Sequence, residues 1–240
     1  MEPRNTRNKR KKENQSSVYS VCSVVYSYPS SAKVNRVVPK SRIYEKANAS
    51  AKLRQLFVDQ VDQIVWQYKL APETINLDAT KSVAEIQVFT ITLRVANINE
   101  DVLRAIDKAI PYPIIFELLH NGKRKVIAAY KRPNEADHSK RVVSEYFSTE
   151  WKVEKDPRKP LPQALNLGRL YDRLLDALIP ASAGADETIG KRVERMEAIR
   201  AKQREAERIK ARLVREKQFN KRIAINAELR KITQELEQLM

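Results

Sequence analysis

The chain has 240 residues, 42% of them hydrophobic, with 46 Lys/Arg against 30 Asp/Glu and a formal net charge of +16. That apolar content supports a packed core, so a wholly disordered chain is excluded. Four glycines argue against Gly-rich phosphate loops and turn-dense sandwiches, and one cysteine, Cys22, rules out an internal disulfide framework.

The charge is unevenly placed. Residues 1–50 carry 11 basic against 3 acidic side chains and residues 191–240 carry 15 against 8, while 51–180 are close to balance. Excess charge at the two ends suits phosphates or an acidic partner, and equally suits solubility alone. A lone Cys makes a reducing, cytoplasmic setting the default. No run reaches the ~20 apolar residues of a membrane span, and no membrane contact is expected.

In chain order, residues 1–48 read as a basic, Ser-rich disordered tail. NKRKK followed by VYSVCSVVYSYPSSA imitates a secretion signal, but serines and tyrosines interrupt the apolar part. Met196 and Met240 are the only methionines after Met1. A non-Met start in the thirties to fifties would make residues 1–50 an over-extended reading frame.

A globular domain is expected over 49–180. Leu53, Phe57, Val61, Ile64, Val65 and Tyr68 fall at helical spacing, which predicts one amphipathic helix ended by Pro72. EIQVFTITLRV predicts a strand with a bulge near Phe89–Thr90, where the alternation shifts parity. NINEDVLRAIDKAI is a helix capped by Asn97 or Asn99. PYPIIFELL, KVIAAYKR and VVSEYFSTEWKV are strands, the first two joined by a hairpin at HNGK. A helix follows with Leu167, Leu170, Tyr171, Leu174, Leu175 and Leu178 on its apolar face.

The expected fold class is therefore α+β: a helix-flanked, mostly antiparallel sheet in the order α-β-α-β-β-β-α. Residues 181–190 form a linker. From 191 to 240 there is neither Gly nor Pro, and one continuous helix of ~75 Å is expected. Its first half repeats Ile199, Ala206 and Leu213, with Ile209 and Ile223 adjoining. Its second half carries a 4-3-4-3 seam of Ile225, Leu229, Ile232, Leu236 and Leu239. The two seams are out of phase, a coiled-coil signature with a discontinuity that is either a stutter or a turn between two helices; with no turn residue there except Asn, continuity is favoured.

Chemistry is hard to place. The element order invites comparison with restriction-type nucleases, yet Ala129-Tyr130-Lys131 offers no acid where a metal ligand would sit. His120 and His138 have no partners at metal-ligand spacing, so neither a metal nor another cofactor nor a small-molecule ligand is expected. Glu117 inside IIFELL reads as a solvent-face residue or as a buried acid paired with Lys131 or Lys125. Glu117, Lys131, Glu145 and Tyr146 are the only polar set from which a catalytic site could be assembled. Phosphate contact would fall to Arg204, Arg208, Lys210, Arg212, Arg215, Lys217, Lys221 and Arg222. Phe219 is the one aromatic among them, so a base-stacking surface is not indicated.

The blocks IVWQYKLAPETINL, EIQVFTITL, AIPYPIIFELL, AAYKRP, VSEYFSTEW, PLPQALNLGRLYDRLLDALIP and EKQFNKRIAINAELRKITQEL occur here in one order. Over roughly residues 51–240 the chain closely resembles the bacterial family catalogued as domain of unknown function 4391. The family brings no catalytic residues. The resemblance implies a neighbourhood of helicases and DNA methyltransferases in restriction-modification or anti-phage defence loci. The expected function is a non-enzymatic adaptor that docks on itself or a partner protein through the C-terminal helix. Direct sequence-independent binding of a DNA or RNA backbone is the alternative, and an enzyme with an unrecognised site is the second.

Overall fold

The computed structural model describes residues 25–240 except 135, 138, 139, 181–183, 185 and 186. The NKRKK run, Cys22, His138 and much of the 181–190 linker lie outside the described residues. In chain order the elements are β1 (Tyr26–Ser27), a 3-10 turn (Ser30–Ala32), β2 (Lys33–Val37), α1 (Lys40–Ala47), α2 (Ala51–Gln60) and β3 (Val61–Leu70). Then come α3 (Pro72–Ile75), β4 (Ile86–Leu93), α4 (Glu100–Ala109), β5 (Ile114–His120), β6 (Lys123–Pro133) and β7 (Arg141–Ser148). The chain ends with β8 (Lys152–Val153), β9 (Lys159–Pro160), α5 (Leu167–Asp176), α6 (Ile189–Arg215) and α7 (Phe219–Leu239).

Seven strands make one sheet in the order β2-β3-β4-β5-β6-β7, with β8 also paired to β6. β4 and β5 run parallel, joined by α4 as a crossover, and the other neighbours are antiparallel. Phe57 of α2 and Val102, Leu103 and Ile106 of α4 pack on Phe89, Ile91, Phe116 and Leu118 on one face. Leu170, Leu174 and Leu175 of α5, with Val193, Met196 and Ile199 of α6, pack on Val88, Ile115, Ala128 and Phe147 on the other. Both faces are covered, which is why the central strands β4 and β5 bury apolar side chains on both faces.

Local chemistry sets several boundaries. Asn121 and Gly122 adopt φ of 47° and 69°, the left-handed pair that a two-residue hairpin requires, and they join β5 to β6. Asn99, not Asn97, caps α4 by accepting from Asp101 N at 2.8 Å. Asn166 caps α5 through Arg169 N at 2.9 Å.

Five expectations are corrected. The tail ends earlier than residue 48: Val25 and Ala32 enter the core, and β2 pairs with β3. A start in the thirties to fifties would thus remove folded structure. The helix expected from Leu53 to Tyr68 stops at Gln60, and Val61–Leu70 is a strand. Register shifts after Val61 and Trp66 add residues to β3, so its buried Val61 and Ile64 sit three apart and imitate helical periodicity. For the same reason the bulge expected at Phe89–Thr90 belongs to β3, opposite β4. The strand expected over 142–153 is two, β7 and β8.

The fifth correction concerns the C-terminus. It is helical, but the single helix expected from 191 to 240 is broken at 216–218. Glu216 and Gln218 have extended dihedrals, with Glu216 Oε1 accepting from Gln218 N at 2.8 Å. α7 folds back antiparallel on α6, bringing Lys202 to Glu235 and Arg212 to Glu228. Two out-of-phase seams on one straight helix would leave apolar surface wet. Folding back buries Ala206, Ile209, Ile225 and Ile232 against one another, with Leu213, Leu229 and Leu236 alongside.

Candidate functional site

The four polar residues expected to converge do not. Lys131 and Tyr146 share one buried cluster, Glu117 belongs to another on the opposite face of the sheet, and Glu145 turns toward α6.

Lys131 Nζ donates to the carbonyls of Asp107, Ile110 and Tyr112 at 2.9–3.0 Å and lies 2.6 Å from Asp107 Oδ1. It thereby satisfies carbonyls at the C-terminal end of α4 and places a cation where the helix dipole favours one. Tyr146 Oη donates to Asp107 Oδ2. Burial, and then the Asp107 carboxylate, push the Tyr146 hydroxyl far above its ordinary value, so it stays a donor. Burial also raises Asp107 and lowers Lys131, each against the pull of its partner. All three side chains are buried, and the cluster bolts α4 to the β6–β7 pair. Its third member, Asp107, escaped sequence reasoning because it sits in DKAI as one more helix charge.

Glu117 is 2% exposed and pairs with neither Lys131 nor Lys125. Arg158 holds it bidentately at 3.0 and 2.9 Å, and Arg124 Nε stands 3.3 Å away. Arg158 also donates to Tyr26 O at 2.8 Å, so the acid anchors the segment bearing β9 and, through it, β1. No spacing signal marks Arg158, 41 residues downstream in a loop. Glu145 accepts from Arg200 at 3.3 Å and Arg204 at 3.0 Å, tying β7 to α6. One of the eight cations expected on phosphate, Arg204, is thus engaged in this tie.

Among the described residues no three His, Cys, Asp or Glu side chains gather as a metal-ligand set. Nor is any helix among them long and apolar enough to cross a membrane. A groove of ≈ 990 Å³ runs between α5, the start of α6 and the 80–83 loop. Its charges are of both signs and partly spent on each other, as in the Arg192–Asp176 pair. Burial raises Asp172 there, and Asp176 adds to it.

The outer half of the α6–α7 hairpin is different. Beyond Ile199 on α6, the buried side chains of this helix face α7 and not the sheet. Ten residues of α6, 206–215, carry this stretch about 15 Å along. At the turn Val214 is 86% exposed, Phe219 74% and Ile223 54%. Ile223 was expected beside the seam and instead points away from it. Lys210 pairs with Glu207 at 2.8 Å and Arg212 with Glu228 at 3.3 Å. Arg208, Arg215, Lys217, Lys221 and Arg222 make no ion pair within 4 Å among the described residues. A hollow of ≈ 370 Å³ lies between the helices here, with Arg212, Arg215, Glu216 and Lys221 around Ala224 and Ile225. Of the seam residues, Ile225 and Ile232 are buried within the hairpin. Leu236 and Leu239 also reach the sheet-side core.

The family model described as Domain of unknown function (DUF4391) matches residues 27–236. The chain belongs to that family. The DUF4391 match starts at β1 and ends near the last turn of α7, so it takes in both the sheet domain and the hairpin. No curated protein and no solved structure matches the chain.

Proposed function

We propose that this chain is a non-enzymatic adaptor that docks on a partner protein through its C-terminal helices, packed as a short antiparallel coiled coil. The observation that carries the reading is the exposure of Val214, Phe219 and Ile223 at the hairpin turn, on a stretch whose buried side chains pack helix against helix and not on the sheet. Exposed apolar side chains gathered at a projecting tip are characteristic of contact surfaces. The seam itself is spent inside the hairpin, so docking falls to the tip. The setting, a bacterial DNA-processing complex of the restriction-modification or defence type with helicase or methyltransferase partners, rests on the family resemblance alone.

The test is co-purification from the native cells with quantitative mass spectrometry, comparing the wild-type chain with Phe219→Glu/Ile223→Glu. The partner is then purified and recombined with each. A defined complex with the wild-type chain that the double variant fails to form supports the reading. Equal complex formation by both overturns it.

A further inference from the structure

We infer that the hairpin tip is a seat for an acidic protein surface, one that surrounds an apolar cleft with carboxylates. This deepens the adaptor reading and rests on it.

The charge at the tip has not been spent. Residues 208–222 contain seven Lys/Arg and one acid, Glu216. Two of the seven are paired, and five have no ion-pair partner among the described residues. Glu216 offsets one of these charges at most: its carboxyl is held below the usual range by the Gln218 N–H first and by Lys221 after it. Elsewhere on the same hairpin acids do answer cations, as Glu235 answers Lys202 and Glu145 answers Arg204. The imbalance is concentrated at the turn: the rest of 191–240 carries eight Lys/Arg against seven acids, although Arg230 and Lys231 also lack an ion pair within 4 Å among the described residues.

The apolar groups at the tip follow a stripe of their own. Phe219 and Ile223 are four apart on α7 and therefore neighbours on one face. Ile225 faces α6, and Ile223, two residues before it, lies roughly 200° round the helix. α6 therefore cannot cover this stripe. On the other side of α7, between the two helices, Arg212, Arg215, Glu216 and Lys221 surround a hollow floored by Ala224 and Ile225.

Three occupants compete for such a surface. A second copy would bring a like-charged tip against this one, which costs free energy at low salt. A nucleic-acid backbone would use the cations but leave Val214 and Ile223 with nothing to contact, and one aromatic does not make a stacking platform. An acidic protein face uses both: carboxylates meet the unpaired cations at the rim, and an apolar cleft receives Phe219 and Ile223 as i, i+4 anchors.

The experiment uses the full chain and three labelled probes, read by fluorescence anisotropy at about 50 and about 200 mM salt. One probe is a synthetic helix with leucine at the a and d positions and glutamate elsewhere. The second is poly-L-glutamate, and the third is a duplex DNA of about 20 base pairs. The variants are Phe219→Ala/Ile223→Ala, Arg215→Glu/Lys221→Glu, and a control pair on the exposed strand β2, Lys33→Glu/Arg36→Glu. Thermal unfolding verifies that each variant folds.

The expected result is that the leucine-glutamate helix binds best and that either tip pair weakens it by about tenfold or more, with the control pair near wild type. Equal binding of poly-L-glutamate overturns the apolar half of the inference. An equal loss in the control pair overturns the site. Tighter, tip-dependent binding of the DNA reassigns the surface to nucleic acid. In the native co-purification, a complex that survives Arg215→Glu/Lys221→Glu but not Phe219→Glu/Ile223→Glu sinks the acidic seat while leaving the adaptor intact. A complex indifferent to both sinks the adaptor.

Discussion

Lys131 Nζ lies 2.6 Å from Asp107 Oδ1, with the two side chains 1% and 5% exposed. Such a pair is weak evidence of stabilisation compared with an apolar replacement, yet breaking it from one side strands a buried charge. Lys131→Met should therefore cost about 3–5 kcal/mol, because Asp107 is left with Tyr146 alone and three carbonyls lose their donor. Lys131→Met/Asp107→Leu should recover part of that loss, since the carbonyls remain unserved. Urea unfolding of the three proteins measures both figures. A single-variant cost below about 1 kcal/mol would show the pair to be energetically idle.

Two carboxylates should move stability with pH in opposite senses. Burial raises Asp107 above its ordinary value, so the folded state holds this proton more tightly than the unfolded one. Its contribution is fully present below the unfolded carboxylate value and is lost as pH rises through the raised folded value. Glu187 is held down to about 2 by Arg195 first and by Gly184 N–H second. Its contribution is present above the ordinary 4.5 and is lost as pH falls toward about 2. The ion pair is near the surface, so its worth is at most about 1 kcal/mol. Urea midpoints against pH for wild type, Asp107→Asn and Glu187→Gln should show each variant losing one of the two slopes.

Tyr171 should prove a polar anchor as well as a core residue. Its hydroxyl donates to Ala129 O at 2.8 Å and accepts from Lys131 N at 2.9 Å, where β6 slips register against β7. It occupies the ladder position that the bulge leaves open. Tyr171→Phe keeps the ring and orphans both backbone groups, for an expected cost of about 1–3 kcal/mol. Faster amide exchange at Lys131 in the variant would localise the effect.

These residues mark what the sequence made legible. Features carried by neighbours in the chain were readable: the Asn121-Gly122 turn, the acidic first turn of α4 and the apolar face of α5. Features that depend on a distant partner were not. Tyr171 fell on an apolar helical stripe, and only the bulge 40 residues earlier gives its hydroxyl a task. The register slips in β3 produced helical spacing in a strand, so periodicity there signalled the wrong element. The break at 216–218 has no Gly or Pro to announce it. The phase difference between the two seams was visible, but on its own it fits a stutter as well as a turn.

The turn makes the outer hairpin a small cooperative unit with its own core. Ile232 is buried against Ala206, Ile209 and Ile225, with few other elements in reach. Ile232→Ala should cost about 2–4 kcal/mol, at the lower part of the range for core truncations because a two-helix layer can close around the gap. The loss should be local. Amide exchange should quicken over 206–215 and 219–232 while the β4–β5–β6 amides keep their protection, since the sheet-side core includes neither Ile232 nor Ile225. Phe219→Ala, in contrast, should shift stability by less than about 0.5 kcal/mol, because the ring is exposed. A variant that weakens docking without moving stability and one that does the reverse would separate the tip from the seam as contact surface and scaffold.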